Sequence, residues 1–160
     1  LNRFIAVTRS AVGIIQSFND ENGHGYVSFR QSEFPWSPSI VEIVLFDIPA
    51  GSYYIQIHYF GDTTDKCQKG TGARWHLVHK FSLSQEGDYY NQFKDANIHV
   101  NDIQTGPIGR AISLVKVDPP DDEILSCNVI GIGEEEERKI PKYPKYRIYN
   151  PVPEHLIWRW

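Results

Sequence analysis

The stretch Ile55-Gln56-Ile57-His58-Tyr59-Phe60-Gly61-Asp62 is the segment of this chain that indicates most about its fold. Apolar and polar residues alternate at its start, which predicts a β-strand with one face in the core. Cys67 follows shortly afterwards, and Ser126-Cys127-Asn128-Val129-Ile130-Gly131-Ile132 carries the second cysteine near the end of another apolar run. We expect both segments to be strands of one domain.

Strand-like segments recur along most of the chain. They are rich in Val, Ile, Tyr and Phe, and turn residues such as Pro, Gly, Asn and Asp separate them. The predicted strands cover residues 11–18, 25–31, 40–46, 53–59, 96–101, 111–117 and 124–132. No long helical period is present, so the sequence predicts an all-β fold, an antiparallel sandwich or barrel.

Size and charge exclude several classes of function. A chain of 160 residues fits one domain, and its formal net charge of −4 gives no general attraction to nucleic acid. No apolar stretch approaches the roughly 20 residues of a membrane-spanning helix, so no membrane span is expected. The chain begins without an initiator methionine, which agrees with removal of a signal peptide.

The composition changes at Glu134, which predicts a domain over residues 1–133 and a tail over residues 134–160. The tail is acidic at first and then rich in proline and aromatic residues, so we expect it to be extended. It is either a flexible solubilising tail or an arm that lies on its own domain or on a partner. The candidate partner-binding residues are Tyr143, Tyr146, Tyr149, Trp158 and Trp160.

The two cysteines lie far apart in the sequence and form no Cys-x-x-Cys motif. Their spacing excludes a zinc ribbon or a thioredoxin-like motif. Two free thiols and one long-range disulfide both remain open on spacing alone.

The order of these motifs resembles the copper/zinc superoxide dismutase family, from about Ala11 to Ile132. That family carries a His-x-His-x-Phe-Gly-Asp strand end, a cysteine soon after it, and a closing Ala-Cys-Gly-Val-Ile-Gly-Ile strand. Here Gly87-Asp88 and Ile108-Gly109-Arg110 also match family segments in the right order. The resemblance implies an eight-stranded Greek-key β-barrel or sandwich and a disulfide between Cys67 and Cys127.

The metal-ligand positions implied by the resemblance are mostly replaced. Gln56 stands at the first copper histidine, His58 at the second, and Arg74 at the histidine that bridges copper and zinc. No histidine lies in residues 111–118, where the last copper ligand is expected. His79 and Asp88 could stand for zinc ligands, but Gln85 replaces the other zinc histidine. We therefore expect a catalytically inactive protein without copper or zinc.

The resemblance also implies a dimer surface, formed by Gly61, Ile108, Gly109, Val129 and Ile132. These residues are still small or apolar, so a two-fold homodimer or a larger assembly is possible. Because a disulfide persists best in an oxidising compartment, we expect a secreted or extracellular protein.

The leading hypothesis is a superoxide dismutase-like domain that serves as a structural or binding module. One alternative is a decoy partner of an active superoxide dismutase or of its copper chaperone. Another is residual copper or zinc chemistry, with the metal held by His58, by His76 or His79, and by Asp88. His76 and His79 form a His-x-x-His pair. A small-molecule carrier is the last, with a pocket beside Tyr53, Tyr59 and Trp75.

Overall fold

The computed structural model describes residues 6–19, 23–31, 37–102, 104–133 and 136–138, and for residues 6–9 and 136–138 it describes the backbone alone. Within these ranges the chain forms ten β-strands and no helix. The all-β expectation is confirmed. Since the described part contains no helix, none in it is long and apolar enough to cross a membrane.

The strands build two antiparallel sheets, as in a β-sandwich. One sheet has the order β10-β1-β2-β3-β6, with β9 also paired to β1, and the other has the order β5-β4-β7-β8. The strands are β1 Ala6–Gln16, β2 His24–Gln31, β3 Ser39–Ile48, β4 Gly51–His58, β5 Arg74–Leu83, β6 Gly87–Asp95, β7 Ala111–Lys116, β8 Glu123–Val129, β9 Gly131–Ile132 and β10 Glu136–Arg138.

Alternating side chains fill the space between the sheets. In β4 the isoleucines Ile55 and Ile57 are fully buried, whereas Gln56 between them points to the other face. Phe29 of β2 and Ile43 of β3 join the same core cluster from the opposite sheet. The alternation read from the opening stretch therefore sets which side chains form the core and which stay outside it.

The predicted strand over residues 96–101 is wrong. These residues form turns, in which the Asp95 carboxylate accepts a hydrogen bond from the main chain of Asn97 and the His99 carbonyl accepts one from Asp102. Ile98 and Val100 are still fully buried, so their alternation reflects a loop packed on the core.

Two long strands, β5 and β6, were missed. They lie at the edges of their sheets, and polar and aromatic residues interrupt their apolar pattern. The single strand predicted over 124–132 is divided into β8 and β9 at Ile130, whose main-chain N–H donates to the Arg110 carbonyl. The described residues form eight strands of six residues or more and two shorter strands, β9 and β10.

Cys67 and Cys127 are joined as a disulfide, with their sulfur atoms 1.95 Å apart and their Cα atoms 5.7 Å apart. The bridge ties the loop between β4 and β5 to β8. Its two half-cystines are buried with Ala111 in a small cluster of their own.

The chain continues past the predicted domain boundary in the same sheet. Glu136 and Glu137, which the sequence assigns to the tail, lie in β10 and pair with Thr8 and Val7 of β1. The tail residues Tyr143, Tyr146, Tyr149, Trp158 and Trp160 lie outside the described residues.

Candidate functional site

Three neighbouring strands bring together, on the outer face of the β5-β4-β7-β8 sheet, the positions that the resemblance assigns to copper ligands. Gln56 lies opposite Ser113 of β7, and His58 lies opposite Arg74 of β5. Gln56 and His58 are two residues apart in β4 and therefore share a face, the one that points away from the core. The alternation of β4 and its pairing on both sides create this cluster.

The imidazole of His58 is buried, and both of its nitrogens have partners. Nδ1 lies 3.3 Å from the Gly72 carbonyl oxygen and Nε2 lies 2.9 Å from the Ser113 hydroxyl. A carbonyl oxygen can only accept, so Nδ1 carries the proton and Nε2 accepts from Ser113. Burial lowers the pKa of His58. The hydrogen bond to the Gly72 carbonyl acts to raise this pKa, whereas the positive charge of Arg74 lowers it further. His58 is therefore a neutral imidazole at neutral pH.

Gln56 and Arg74 extend this network along the sheet. The Nε of Arg74 donates to Oε1 of Gln56 at 2.8 Å, and the amide nitrogen of Gln56 lies 3.4 Å from Nε2 of His58. The guanidinium of Arg74 also lies over the ring of Tyr54, 5.3 Å from its centroid. The hydroxyl of Tyr54 in turn donates to the Asp122 carboxylate at 3.0 Å. A continuous set of polar and ring contacts thus runs from His58 to Asp122.

His79 is directed toward β6. Its Nε2 lies 2.6 Å from the Tyr89 hydroxyl and 3.1 Å from the amide nitrogen of Asn91. The ring stacks on Phe93 with centroids 5.1 Å apart. Burial lowers the pKa of His79, so this imidazole is also neutral at neutral pH. These contacts join β5 to β6, the edge strands of the two sheets.

His76 also contacts β6, but at another place. Its Nε2 lies 2.6 Å from a carboxylate oxygen of Asp95. Burial acts to raise the pKa of Asp95, but hydrogen bonds from His76 and from the main chain of Asn97 outweigh it and keep the pKa below its usual value. The two histidines of the His-x-x-His pair therefore engage different partners.

The remaining predicted zinc positions are exposed. Asp88 accepts a hydrogen bond from the main chain of Asp47 at 3.1 Å, and Gln85 lies in the connection between β5 and β6. Across the described ranges, no three His, Cys, Asp or Glu side chains form a group that could hold a metal ion.

The predicted dimer surface is partly contiguous. A methyl group built on Gly61 would lie 2.2 Å from the Gly109 carbonyl oxygen and 3.7 Å from a methyl of Val129, so these three residues are neighbours. The side chains of Val129 and Ile132 are 45% and 65% exposed. Ile108 instead packs, half-buried, against the core.

Sequence reasoning missed several partners in this region. Tyr59 and Phe60, the two residues before Gly61 in the sequence, are exposed aromatic residues. Arg110 donates to the Tyr59 carbonyl at 2.9 Å, and its guanidinium lies 4.4 Å from the centroid of the Trp75 ring. These contacts join positions more than 30 residues apart along the chain, so no local motif signals them.

No family model and no curated protein matches this chain by sequence.

Proposed function

We propose that this chain is a catalytically inactive copper/zinc superoxide dismutase-like domain that acts as a secreted structural or binding module. The proposal combines the family-like motifs with the contacts at the replaced ligand positions. It also rests on the apolar surface around Gly61 and Val129.

The strand order supports this type of fold. The hairpin β4-β5 lies in one sheet, while the strands that precede and follow it, β3 and β6, pair with each other in the other sheet. This arrangement supports a Greek-key connection. The sandwich architecture is shared by copper/zinc superoxide dismutases and by many unrelated domains, so it does not identify the function by itself.

The observation that carries the proposal is the network around His58. Copper that changes oxidation state in this family needs a set of imidazole ligands. Here the amide of Gln56 and the hydroxyl of Ser113 occupy the surroundings of the one remaining imidazole, and Arg74 adds a positive charge. A fixed guanidinium beside the site repels a metal cation. These side chains do not fit a copper ion.

The zinc positions do not fit their metal either. A zinc site takes about four nitrogen, sulfur or oxygen ligands. The imidazole of His79 is engaged by Tyr89 and Asn91, and Asp88 bonds to the main chain of Asp47. Both residues therefore bond to other parts of the fold, and we assign the function to surface recognition instead.

The surface that serves recognition is the apolar patch, defined as Tyr59, Phe60, Gly61, Gly109 and Val129. Contiguous exposed apolar surface on a folded domain marks a site of protein association. Ile132, in the adjoining β9, adds a further exposed apolar side chain. We assign this patch to self-association as a homodimer or as part of a larger assembly.

The retained patch also favours the alternative of a decoy. A surface that still matches the family's dimer surface could pair with an active superoxide dismutase. The disulfide between Cys67 and Cys127 agrees with secretion under both hypotheses.

Sedimentation velocity of the wild type and of Val129→Asp tests the patch. We expect the wild type to self-associate and Val129→Asp to be monomeric, because a carboxylate in the contact would be desolvated. Val117→Asp is the matched control, since Val117 is exposed to a similar extent at the end of β7 and should leave the dimer intact. A monomeric wild type that forms a heterodimer with an active superoxide dismutase would support the decoy instead. A wild type that associates with neither would remove both hypotheses.

A further inference from the structure

Four polar side chains lie side by side on the outer face of the β4-β5 pair. In β4, Ser52 and Tyr54 alternate with buried residues and therefore point away from the core. In β5, Lys80 lies opposite Tyr54 and Ser82 lies opposite Ser52. Phe81, between Lys80 and Ser82, is buried, so the two polar residues share the outer face as well.

A groove of about 470 Å³ lies against these side chains. Arg74 at the start of β5 adds to its lining, as do Val117 and Asp122 from the connection between β7 and β8. The main-chain N–H of Val117 donates to the Ser52 carbonyl at 2.8 Å, which holds this connection beside β4. The volume lies in the range of small-molecule sites, about 300–1,000 Å³.

Two cations in the lining have no counter-charge. Among the described residues, neither Arg74 nor Lys80 forms an ion pair with a carboxylate. A guanidinium has five N–H donors, and the contacts of Arg74 with Gln56 and Tyr54 use only part of them. Lys80 is exposed, and its ammonium has three donors. The groove therefore offers positive charge together with several hydrogen-bond donors.

The hydroxyl groups add to the donors, and the one carboxylate of the lining is already engaged. The Oγ atoms of Ser52 and Ser82 lie 3.0 Å apart, so one hydroxyl donates to the other and the second proton stays available. Asp122 accepts from the Tyr54 hydroxyl at 3.0 Å and from the main chain of Asp118 at 3.3 Å. A ligand that suits this groove carries acceptors and negative charge.

We infer that this groove binds a small organic phosphate or sulfate ester. Arg74 and Lys80 hold the tetrahedral oxyanion, because a guanidinium and an ammonium are the side chains that recognise such groups. The side chain of Val117 is 40% exposed and provides an apolar contact for the organic part. The net charge of −4 on the chain disfavours a polyanion such as nucleic acid. This site goes beyond the proposed function, since it uses no residue of the apolar patch.

Titration of the isotope-labelled 160-residue protein with phenyl phosphate, followed by NMR, tests the inference. We expect saturable shifts of the amide signals of Ser52, Tyr54, Lys80 and Ser82, with little change at Val129. The affinity should fall as sodium chloride is added, because salt screens the charges. Benzyl alcohol, a neutral ligand of similar shape, should not bind. Shifts that do not saturate, or equal binding of benzyl alcohol, would overturn the inference.

Substitutions assign the charges. Arg74→Gln and Lys80→Gln should each weaken phenyl phosphate about tenfold, because each removes a charge-assisted hydrogen bond. Lys69→Gln is the matched control, since Lys69 is exposed in the connection between β4 and β5 and lies outside the groove lining. Lys80→Gln changes an exposed side chain of an edge strand, so it should remain folded, as its NMR spectrum will show. Unchanged affinity in folded Lys80→Gln would overturn the inference.

Phenyl sulfate, titrated in the same way, separates the two kinds of ester. Tighter binding of phenyl phosphate would assign the groove to phosphate esters, because their second negative charge suits two cations. Equal or tighter binding of phenyl sulfate would assign it to sulfate esters as well. Binding of neither ester would overturn the inference.

Discussion

Replacing Glu42 by glutamine should make the protein more stable above neutral pH and remove part of its pH dependence. The carboxyl group of Glu42 is buried on the outer face of β3, where one of its oxygens has no hydrogen-bond partner among the described residues. Burial raises the pKa of Glu42 from 4.5 to about 7, although the positive charge of Arg30 opposes this. The charged carboxylate is therefore disfavoured in the folded state.

Proton linkage gives the sign and the size of the effect of Glu42 on the free energy of unfolding. Below pH 4.5 the carboxyl group is neutral in the folded and the unfolded chain, so it contributes no pH dependence. Between pH 4.5 and about 7 the unfolded chain loses the proton first, and rising pH favours unfolding. At 1.36 kcal/mol for each pKa unit, the full cost above this window is about 3 kcal/mol. Glutamine keeps the shape of the side chain and cannot ionise.

Urea unfolding of the wild type and of Glu42→Gln at about pH 4.5 and at about pH 8 measures this cost. We expect the variant to gain stability relative to the wild type as the pH rises. Its advantage in free energy of unfolding should be about 3 kcal/mol larger at the higher pH than at the lower pH. Glu86→Gln is the control, because Glu86 is exposed in the connection between β5 and β6. Burial also lowers the pKa values of His58 and His79, which titrate in both proteins and cancel in the difference. A difference that is equal at the two pH values would show that ionisation of Glu42 does not destabilise the folded state.

Two further experiments test the scaffold. Replacing Cys67 and Cys127 by serine removes the bridge between two residues that are 60 positions apart in the sequence. The free energy of unfolding in urea should then fall by about 4 kcal/mol. An unchanged value would show that the bridge does not stabilise the fold. Gly61→Ala should lower the melting temperature at a cost of about 1–3 kcal/mol, because its methyl group would lie 2.2 Å from the Gly109 carbonyl oxygen. Gly131→Ala meets no atom within 4 Å and should be nearly neutral; equal effects of the two alanines would contradict the packing at Gly61.

The sequence predicted the parts of the fold in which apolar residues alternate. This holds for β4, where Ile55 and Ile57 are core residues and Gln56 is not. It fails for β5 and β6, because His79, Tyr89 and Asn91 bond to each other across the two sheet edges and interrupt the apolar pattern. It also fails at Glu42, because alternation predicts an exposed residue where the structure has a buried one.

The candidate site was predictable only in part. The face shared by Gln56 and His58 follows from their spacing in β4. Their partner Ser113 depends on the register between β4 and β7, which no local motif specifies. The separate partners of His76 and His79 likewise depend on how β5 meets β6.

The metal content of the purified 160-residue protein tests whether the residues around His58 can hold a metal ion. The protein is dialysed against copper and zinc, then against metal-free buffer, and analysed by mass spectrometry. Because Gln56 and Ser113 contact the imidazole of His58 and Arg74 lies beside them, we predict negligible amounts of both metals. Stoichiometric copper that is lost in His58→Ala would contradict the proposed function and indicate a working metal site.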